Sequence, residues 1–373
     1  MTLLAKGRGG LAAFCFIFLS VFMAAANGEI LPAPQHAEPM GSGIRLAQST
    51  VVAITTNNAG NPQIRFAAGE LRAALAGALR GLDVRMDEGG GPGAVTIHLW
   101  DFSQDSSPPV ALTILDRAIV SSGRHYGQGY VLRVQDDKAL WVIGGTASGV
   151  LNGAMSALQL IERTRAGASI QGIYIRDYPD FEYRAASDWL LNIEINGWTW
   201  DRGQGVEAFA RTMERKLDRA ARYKINMALV DGFGFAVAKR PAFYAPLWLR
   251  LNQYARARGI HLIHGGYGAS YGMAYEPVVM YETGAGFKGT VFENRRGYPD
   301  GEVYRCMGFP KSRRGYDPAT LGSCRSNDAL NHLKAAELRE YVAALEPGAL
   351  YIHHEDFGGY EGTQQAWLER CES

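Results

Sequence analysis

Two histidines and two carboxylates stand side by side near the end of the chain, directly after a short apolar segment. They are His353, His354, Glu355 and Asp356, and a glycine pair follows at 358–359. Neighbouring carboxylates raise each other's pKa, so a fold seldom holds them together unless a site uses them. One can then donate a proton while the other stays charged, which is acid–base chemistry. A solvated strand end followed by a helix cap explains the same residues equally well.

The two histidines of this cluster also have competing interpretations. Either ring can hydrogen-bond a carboxylate and adjust its pKa, but alternation along a strand turns one ring inward and the other outward. A structural role is the simpler interpretation for at least one of them, and we keep His354 as a candidate site residue. A metal site is disfavoured because adjacent ligands on one strand converge poorly on an ion. The sequence thus predicts no metal and no other cofactor.

The elements that must position this cluster alternate between strand and helix. Strands are predicted near Tyr183, Ile225, Ile260 and Leu350, and helices over 204–223, 245–258 and 327–345. Apolar strands that alternate with helices are typical of a parallel β/α barrel, in which catalytic groups lie where the strands end. Asp231 and His264 end the second and third strands, so both are further candidates.

The length of this region predicts an incomplete barrel. A complete barrel has eight strands and takes about 250 residues. Fewer than 200 residues follow Asp177. We therefore expect residues 177–373 to be a partial (β/α) TIM-type barrel that is truncated after its fourth strand.

A smaller α/β domain is predicted over residues 50–176. The predicted strands are 51–54, 94–99, 129–134 and 139–144, and the predicted helices are 66–79 and 147–161. The last two strands form a hairpin that turns at Asp136-Asp137. The segment from Gly144 to Gly149 lacks the lysine of a P-loop and the glycine spacing of a dinucleotide fold, so we interpret it as a plain strand-to-helix turn.

The N-terminus predicts export. Lys6 and Arg8 precede an apolar run over 11–25, and small residues at 24–26 suit cleavage after Ala26. This run is shorter than the roughly 20 residues of a membrane span. We predict a signal peptide at 1–26, a disordered linker at 27–49, and a secreted or periplasmic protein with no membrane segment after cleavage.

Composition limits the partners. Lys and Arg number 38 against 37 Asp and Glu, so neither nucleic acid nor another polyanion is expected to bind. Cys306 and Cys324 can pair in an oxidising compartment, which would leave Cys371 unpaired. No spacing among the cysteines matches a zinc site.

Several segments occur in an order that is known from one group of enzymes. They are Phe66–Leu71, Gly129–Leu132, Leu140–Gly145, Gly149–Ala154, Asp177–Arg184, Tyr254–Ile263 and Cys324–Asp328. In these segments the chain resembles the secreted β-N-acetylhexosaminidases of glycoside hydrolase family 20 and is similar to the related family 84. The resemblance implies a small zincin-like α/β domain followed by the first half of a β/α barrel.

The resemblance also implies a function. These glycosidases remove terminal N-acetylhexosamine residues with retention, and the substrate's own 2-acetamido group acts as the nucleophile. Glu355, which has the longer side chain, would be the acid/base, and Asp356 would hold the acetamide. The implied or candidate substrate-binding residues are Arg184, Asp188, Glu194, Asp231, His264 and His354. Helix capping or loop hydrogen bonding explains Asp188 and Glu194 about as well.

The chain departs from the family pattern at two points. Glu355 precedes Asp356, whereas family 20 has the order Asp-Glu, and His264-Gly265-Gly266 replaces the usual Pro-Gly-His turn. The alternative function is therefore an inactive or fragmentary carbohydrate-binding relative that lacks the second half of the barrel.

Overall fold

The structure is a computed structural model, and it describes residues 30–86, 93–122, 125, 127–165, 167–186, 205–230, 237, 242–266 and 328–352. The chain divides into two compact units, the N-terminal unit up to Glu182 and the C-terminal unit from Tyr183 onward. Both units combine helices with strands, so the predicted α/β class is confirmed.

A mixed seven-stranded sheet forms the centre of the N-terminal unit. The elements in chain order are β1 (His36–Pro39), β2 (Ile44–Leu46), β3 (Val51–Thr56), α1 (Pro62–Ala78), β4 (Asp83–Met86), β5 (Val95–Asp101), α2 (Ile114–Ser121), β6 (Tyr130–Gln135), β7 (Ala139–Gly144), α3 (Ala147–Leu158), β8 (Ile161–Thr164), β9 (Gly167–Ile170) and β10 (Ile173–Asp177). The large sheet has the order β1-β10-β6-β7-β5-β3-β4, and β2, β9 and β8 form a three-stranded sheet. The strands from β7 to β4 are parallel, whereas β1, β10 and β6 are antiparallel to their neighbours.

Alternation along the strands gives this sheet two different apolar faces. On β7, Leu140 and Val142 pack in the main core with residues of α1 and α3. Trp141 and Ile143 pack on the other face, with Ile119 of α2. Burial on both faces makes these strands nearly continuous apolar runs, which is why the sequence reveals them.

Strands β1 and β2 correct the prediction of a disordered linker. Residues 36–39 and 44–46 lie within the predicted linker, yet β1 pairs with β10 and β2 pairs with β9. Ile44 and Leu46 are buried in the main core. Proline and small residues hide these strands in the sequence, because long-range pairing stabilises them rather than local propensity.

The predicted hairpin and strand-to-helix turn both occur. Asp136 and Asp137 each have a φ of 51°, as a type I′ hairpin turn requires at its two central positions. After β7, Thr146 caps α3 by accepting a hydrogen bond from the backbone of Ser148. A Cβ on Gly144 would lie 2.0 Å from the backbone nitrogen of Val150, so glycine there permits close packing of strand and helix.

Four parallel strands form the sheet of the C-terminal unit, in the order β11-β12-β13-β14. The elements are β11 (Ala185–Ala186), α4 (Gly205–Arg222), β12 (Met227–Val230), α5 (Tyr244–Arg256), β13 (His261–Gly266), α6 (Asp328–Leu345) and β14 (Ala349–Ile352). The order and direction match the predicted first half of a β/α barrel.

A layer of helices covers one face of this sheet. Phe209 and Leu217 of α4 and Leu251 of α5 are buried there, at spacings that leave the charged residues outside. Ala228, Val230 and other alternate strand positions are also fully buried. Among the described residues, no helix has the length and apolar character to cross a membrane.

Candidate active site

The four parallel strands bring their C-terminal ends to one edge of the sheet. The register places Val230, His264 and Leu350 in one row, and Gly266 beside Ile352 two residues further on. In a sheet of this kind the edge at the carboxyl ends is where substrates bind. The candidate cluster follows Ile352 in the chain, so the location of β14 supports the choice of this edge.

Six of the predicted site residues lie outside the described residues. They are Asp188, Glu194, Asp231, His354, Glu355 and Asp356. The cysteines also lie outside, so the proposed pairing of Cys306 with Cys324 stays a prediction. The structure describes the two remaining predicted site residues, Arg184 and His264.

Arg184 lies at the beginning of β11 rather than at its end. Its backbone carbonyl accepts hydrogen bonds from Asn226 and Met227. Its Nε donates to the carbonyl of Lys224 at 2.8 Å, which fastens the start of β11 to the start of β12. Because β11 has only two residues, about 7 Å of strand separates this position from the opposite edge. The role of Arg184 in sugar binding stays a prediction.

His264 lies within the protein rather than on a substrate-facing surface. The side chain has no exposed surface and lies on the helix side of β13. Its Nδ1 is 2.6 Å from the hydroxyl of Tyr341, and its Nε2 is 3.0 Å from Oδ1 of Asn252. The rings of Trp248 and Tyr341 contact it edge-on. Burial lowers the pKa of His264 to about 3, so the ring is neutral at any pH near 7.

This enclosure argues against direct contact of His264 with substrate, and its predicted role in substrate binding stays untested. Both ring nitrogens have protein partners, and the ring is enclosed between β13, α5 and α6. The alternation of the strand was the available signal, because His264 shares a face with the apolar Leu262. A polar residue at a strand end indicates a site only when it lies on the face away from the helices.

The face away from the helices contains a residue that the sequence analysis did not select. Leu229 and Ile263 are half-buried on this face, and the side chain of Tyr351 is 41% exposed. Tyr351 pairs with Gly265 of β13 in the register of the two strands. Aromatic rings cover the apolar face of a sugar well, so Tyr351 is an added candidate at the carboxyl end of β14.

Several polar groups of the N-terminal unit end strands and helices. Asp101, at the end of β5, is buried and accepts hydrogen bonds from Asn58 and Ser103. Thr113 and Asp116 form a capping box at the start of α2. Across the described ranges, no group of His, Cys, Asp and Glu is arranged to hold a metal ion.

Residues 27–178 match the model of glycosyl hydrolase family 20, domain 2. A search of curated proteins finds no match to the chain. The match covers the described N-terminal unit almost entirely and includes β1 and β2.

Solved structures show a similar fold for the larger part of the chain. The family 20 exo-β-N-acetylglucosaminidase of Vibrio harveyi, in complex with N-acetylglucosamine, is 15% identical with a TM-score of 0.54, and the alignment covers 91% of this chain and 49% of that one. The Streptomyces plicatus N-acetyl-β-hexosaminidase bound to Thio-NAglucal is 17% identical with a TM-score of 0.51, covering 87% and 58%. A family 84 structure reaches a TM-score of only 0.44, which is too low to carry an argument.

The two comparisons together define the class of protein. The sequence of the N-terminal unit matches a family 20 domain 2, and the aligned part of the chain has the fold of family 20 enzymes over about half of their length. The predicted resemblance to family 20 is confirmed. Residues 27–178 are thus similar to domain 2 of glycosyl hydrolase family 20, and the chain is similar in fold to family 20 β-N-acetylhexosaminidases.

Proposed function

We propose that the protein is a glycoside hydrolase that releases terminal N-acetylhexosamine residues by substrate-assisted, retaining hydrolysis. The observation that carries this proposal is a family 20 domain 2 followed by four parallel strands whose last member leads into Glu355 and Asp356. The Vibrio harveyi relative was solved with N-acetylglucosamine, which supports a carbohydrate substrate of this kind.

Chain geometry supports a shared location for the proposed site residues. In the sequence Asp231 directly follows Val230, the last residue of β12, and Glu355 comes three residues after Ile352, the last residue of β14. Strands β12 and β14 are separated by one strand, or about 10 Å. A sugar at this edge can therefore meet residues from both strands.

The proposed reaction uses one carboxyl group for protons and one for orientation. Glu355 donates its proton to the glycosidic oxygen while the 2-acetamido oxygen attacks C1, which breaks the C1–O bond and forms a cyclic oxazolinium ion. Asp356 accepts a hydrogen bond from the acetamide N–H and stabilises the positive charge of that ion. The Glu355 carboxylate then takes a proton from the water that attacks C1. The bond between C1 and the acetamido oxygen breaks, which regenerates the 2-acetamido group, restores the carboxylic acid and retains the configuration.

The remaining predicted residues would surround the sugar. We propose that Arg184, Asp188, Glu194 and Asp231 bind its hydroxyl groups and that His354 hydrogen-bonds a carboxylate. Tyr351 would cover one face of the ring. His264 is excluded from this set because it is enclosed by the helices.

We also propose that the protein is exported with removal of residues 1–26. The family match begins at residue 27, directly after the predicted cleavage site. Mass spectrometry of protein recovered from the periplasm or medium should find Asn27 at the N-terminus. Recovery of the chain only in the cytosol with an intact Met1 would contradict the proposal.

Hydrolysis of p-nitrophenyl N-acetyl-β-glucosaminide tests the function directly. The wild-type chain should release p-nitrophenol from it but not from p-nitrophenyl β-glucoside, which has no acetamide to act as nucleophile. Glu355→Gln should lower kcat by about 100- to 10,000-fold, the usual contribution of a general acid. Glu340→Gln, an exposed change on α6, is the matched control and should retain full activity.

The outcome also separates the proposal from its alternative. Absence of turnover in the folded wild-type chain, together with measurable binding of N-acetylglucosamine oligomers, would favour a carbohydrate-binding relative. Equal turnover of both substrates would contradict the substrate-assisted mechanism.

A further inference from the structure

A chain of buried polar side chains joins β13 to α5 and α6. His264 contacts Tyr341 through Nδ1 and Asn252 through Nε2. The hydroxyl of Tyr341 is also 3.3 Å from that of Tyr244, and Nδ2 of Asn252 donates to the carbonyl of Leu345 at 2.7 Å. The side chains of Tyr244, Asn252, His264 and Tyr341 are fully or almost fully buried.

The directions of these hydrogen bonds follow from their chemistry. Asn252 must turn its amino group toward the Leu345 carbonyl, so its Oδ1 faces His264 as an acceptor. Nε2 of His264 therefore carries the proton, and Nδ1 of the neutral ring accepts one from the Tyr341 hydroxyl. Tyr341 in turn accepts from Tyr244. One tautomer of His264 satisfies every contact in this set.

The same helices hold the short connection between α6 and β14. Asn252 bonds the last residue of α6, and Arg256 of α5 donates to the carbonyl of Glu346 at 2.7 Å and to its carboxylate at 2.5 Å. The backbone nitrogen of Gly348 donates to the Leu262 carbonyl at 3.1 Å. A Cβ on Gly348 would lie 2.6 Å from that of His261, so the connection fits tightly against β13.

Strand β14 pairs with β13 in one register directly after this connection. Leu350 pairs with His264, and Ile352 pairs with Gly266. A slip of one residue would turn every side chain of β14 to the opposite face. The chain continues from Ile352 to the carboxylates only three and four residues later.

We infer that His264, Tyr341 and Asn252 are positioning residues that fix β14 and thereby the carboxylates that follow it. They act through the strand rather than on the sugar, since all three are enclosed by protein. This inference rests on the proposed function for its effect on catalysis, but its structural part is independent of that function.

The test compares two tyrosines of the helix layer. Tyr341→Phe keeps the ring and removes the donor to His264. Tyr254→Phe is the matched control, because the Tyr254 hydroxyl bonds Asp218 of α4 and contacts neither β13 nor β14 in the described residues. In both variants, backbone hydrogen exchange of residues 348–352 is measured beside kcat and KM for p-nitrophenyl N-acetyl-β-glucosaminide.

We expect Tyr341→Phe to speed exchange in β14 at least tenfold and to leave β12 unchanged. The value of kcat should fall at least tenfold while KM changes less than threefold, because misplaced carboxylates slow chemistry more than binding. Tyr254→Phe should change none of these. Equal effects of the two substitutions, or no change in β14 exchange, would overturn the inference.

A second pair of variants tests whether His264 positions β14 through its hydrogen bonds or only fills space in the core. His264→Gln retains one acceptor and one donor, whereas His264→Leu retains neither. Exchange in β14 should be closer to wild type in His264→Gln than in His264→Leu, and the opposite order would contradict the inference. If the wild-type chain lacks hydrolase activity, the exchange measurements still decide the structural part, so the two failures are distinguishable.

Discussion

His98 in the N-terminal unit and His264 in the C-terminal unit both lie in parallel strands, and their environments differ. His98 in β5 of the N-terminal unit lies at a partly exposed sheet face, where its ring stacks on Trp141 with centroids 3.8 Å apart and Nδ1 contacts the Thr55 hydroxyl at 2.8 Å. His264 in β13 is enclosed on all sides. Burial lowers the pKa of both, to about 4 for His98 and about 3 for His264.

The comparison shows two uses of polar side chains. In the N-terminal unit some of them end elements, as Asp101 does for β5 and Thr113 for α2, and Tyr130 of β6 makes a separate buried contact with Ser156 of α3. In the C-terminal unit a connected set of four buried side chains joins two helices to the sheet. A fully satisfied buried network specifies one arrangement more sharply than apolar packing does. That property suits strands whose ends must hold reacting groups in place.

The largest expected effect is the loss of stability in acid that His264 causes. Its folded pKa of about 3 lies below the ordinary 6.5, so between these values the unfolded chain binds a proton that the folded chain excludes. Above pH 6.5 the ring is neutral in both states and stability is unaffected. As the pH falls from 6.5 toward 3, the free energy of unfolding decreases by up to about 5 kcal/mol.

Urea titrations of wild type and His264→Gln at several pH values measure this contribution. The difference in unfolding free energy between the two proteins should move in favour of the glutamine variant as the pH falls from 6.5. The difference in unfolding free energy between wild type and His98→Gln should change with pH in the same direction but by less, because His98 keeps contact with solvent. A difference for His264 that does not depend on pH would show that the ring is not buried as described.

Two buried asparagines, one in each unit, can be compared in the same way, with a smaller expected effect on stability. Asn252 lies between His264 and the Leu345 carbonyl, whereas Asn152 of α3 donates to the carbonyl of Gln128. Replacing Asn252 by alanine leaves two buried groups without partners and should lower the free energy of unfolding by about 2–4 kcal/mol. Asn152→Ala should cost about 1–2 kcal/mol. Chemical denaturation at pH 7 measures both, and a larger loss at Asn152 would argue against the network.

The smallest expected effect is at the hairpin turn of the N-terminal unit. Asp136 and Asp137 both have positive φ, a conformation that glycine adopts without strain. Asp137→Gly should raise the free energy of unfolding by about 1 kcal/mol, because the left-handed region disfavours other residues by about that amount. A thermal melt measures the gain. Asp105→Gly, outside this turn, removes the acceptor of the Ser107 backbone N–H and should show a loss instead.

Elements with strong periodicity could be predicted from the sequence. Helix α4 buries Phe209, Met213 and Leu217 at helical spacing, and it was predicted within one residue of its observed ends. Strand β4 was missed because Asp83 and Arg85 leave only two partly buried apolar residues. Helix α2 was missed because the exposed Ile114 and Leu115 break its pattern, although Thr113 and Asp116 carry a capping-box signal.

The site was less predictable than the fold. The sequence identifies polar residues at strand ends, but only the register and the helix layer decide which face each residue occupies. His264 shows this, since its type and place in the strand suggested a site while its neighbours enclose it. Tyr351 shows the opposite case. An aromatic residue in an apolar strand is interpreted as a core residue from the sequence, whereas the structure shows that Tyr351 is exposed.

The central claim is that Glu355 is the general acid. It is tested most directly by measuring how the loss of activity in Glu355→Gln depends on the leaving group. A phenyl leaving group needs a proton to depart, whereas 2,4-dinitrophenolate departs without one. If Glu355 is the general acid, Glu355→Gln should lose about 100-fold or more in kcat/KM on phenyl N-acetyl-β-glucosaminide and much less on the 2,4-dinitrophenyl substrate. An equal loss on both substrates, or none on either, would contradict the account.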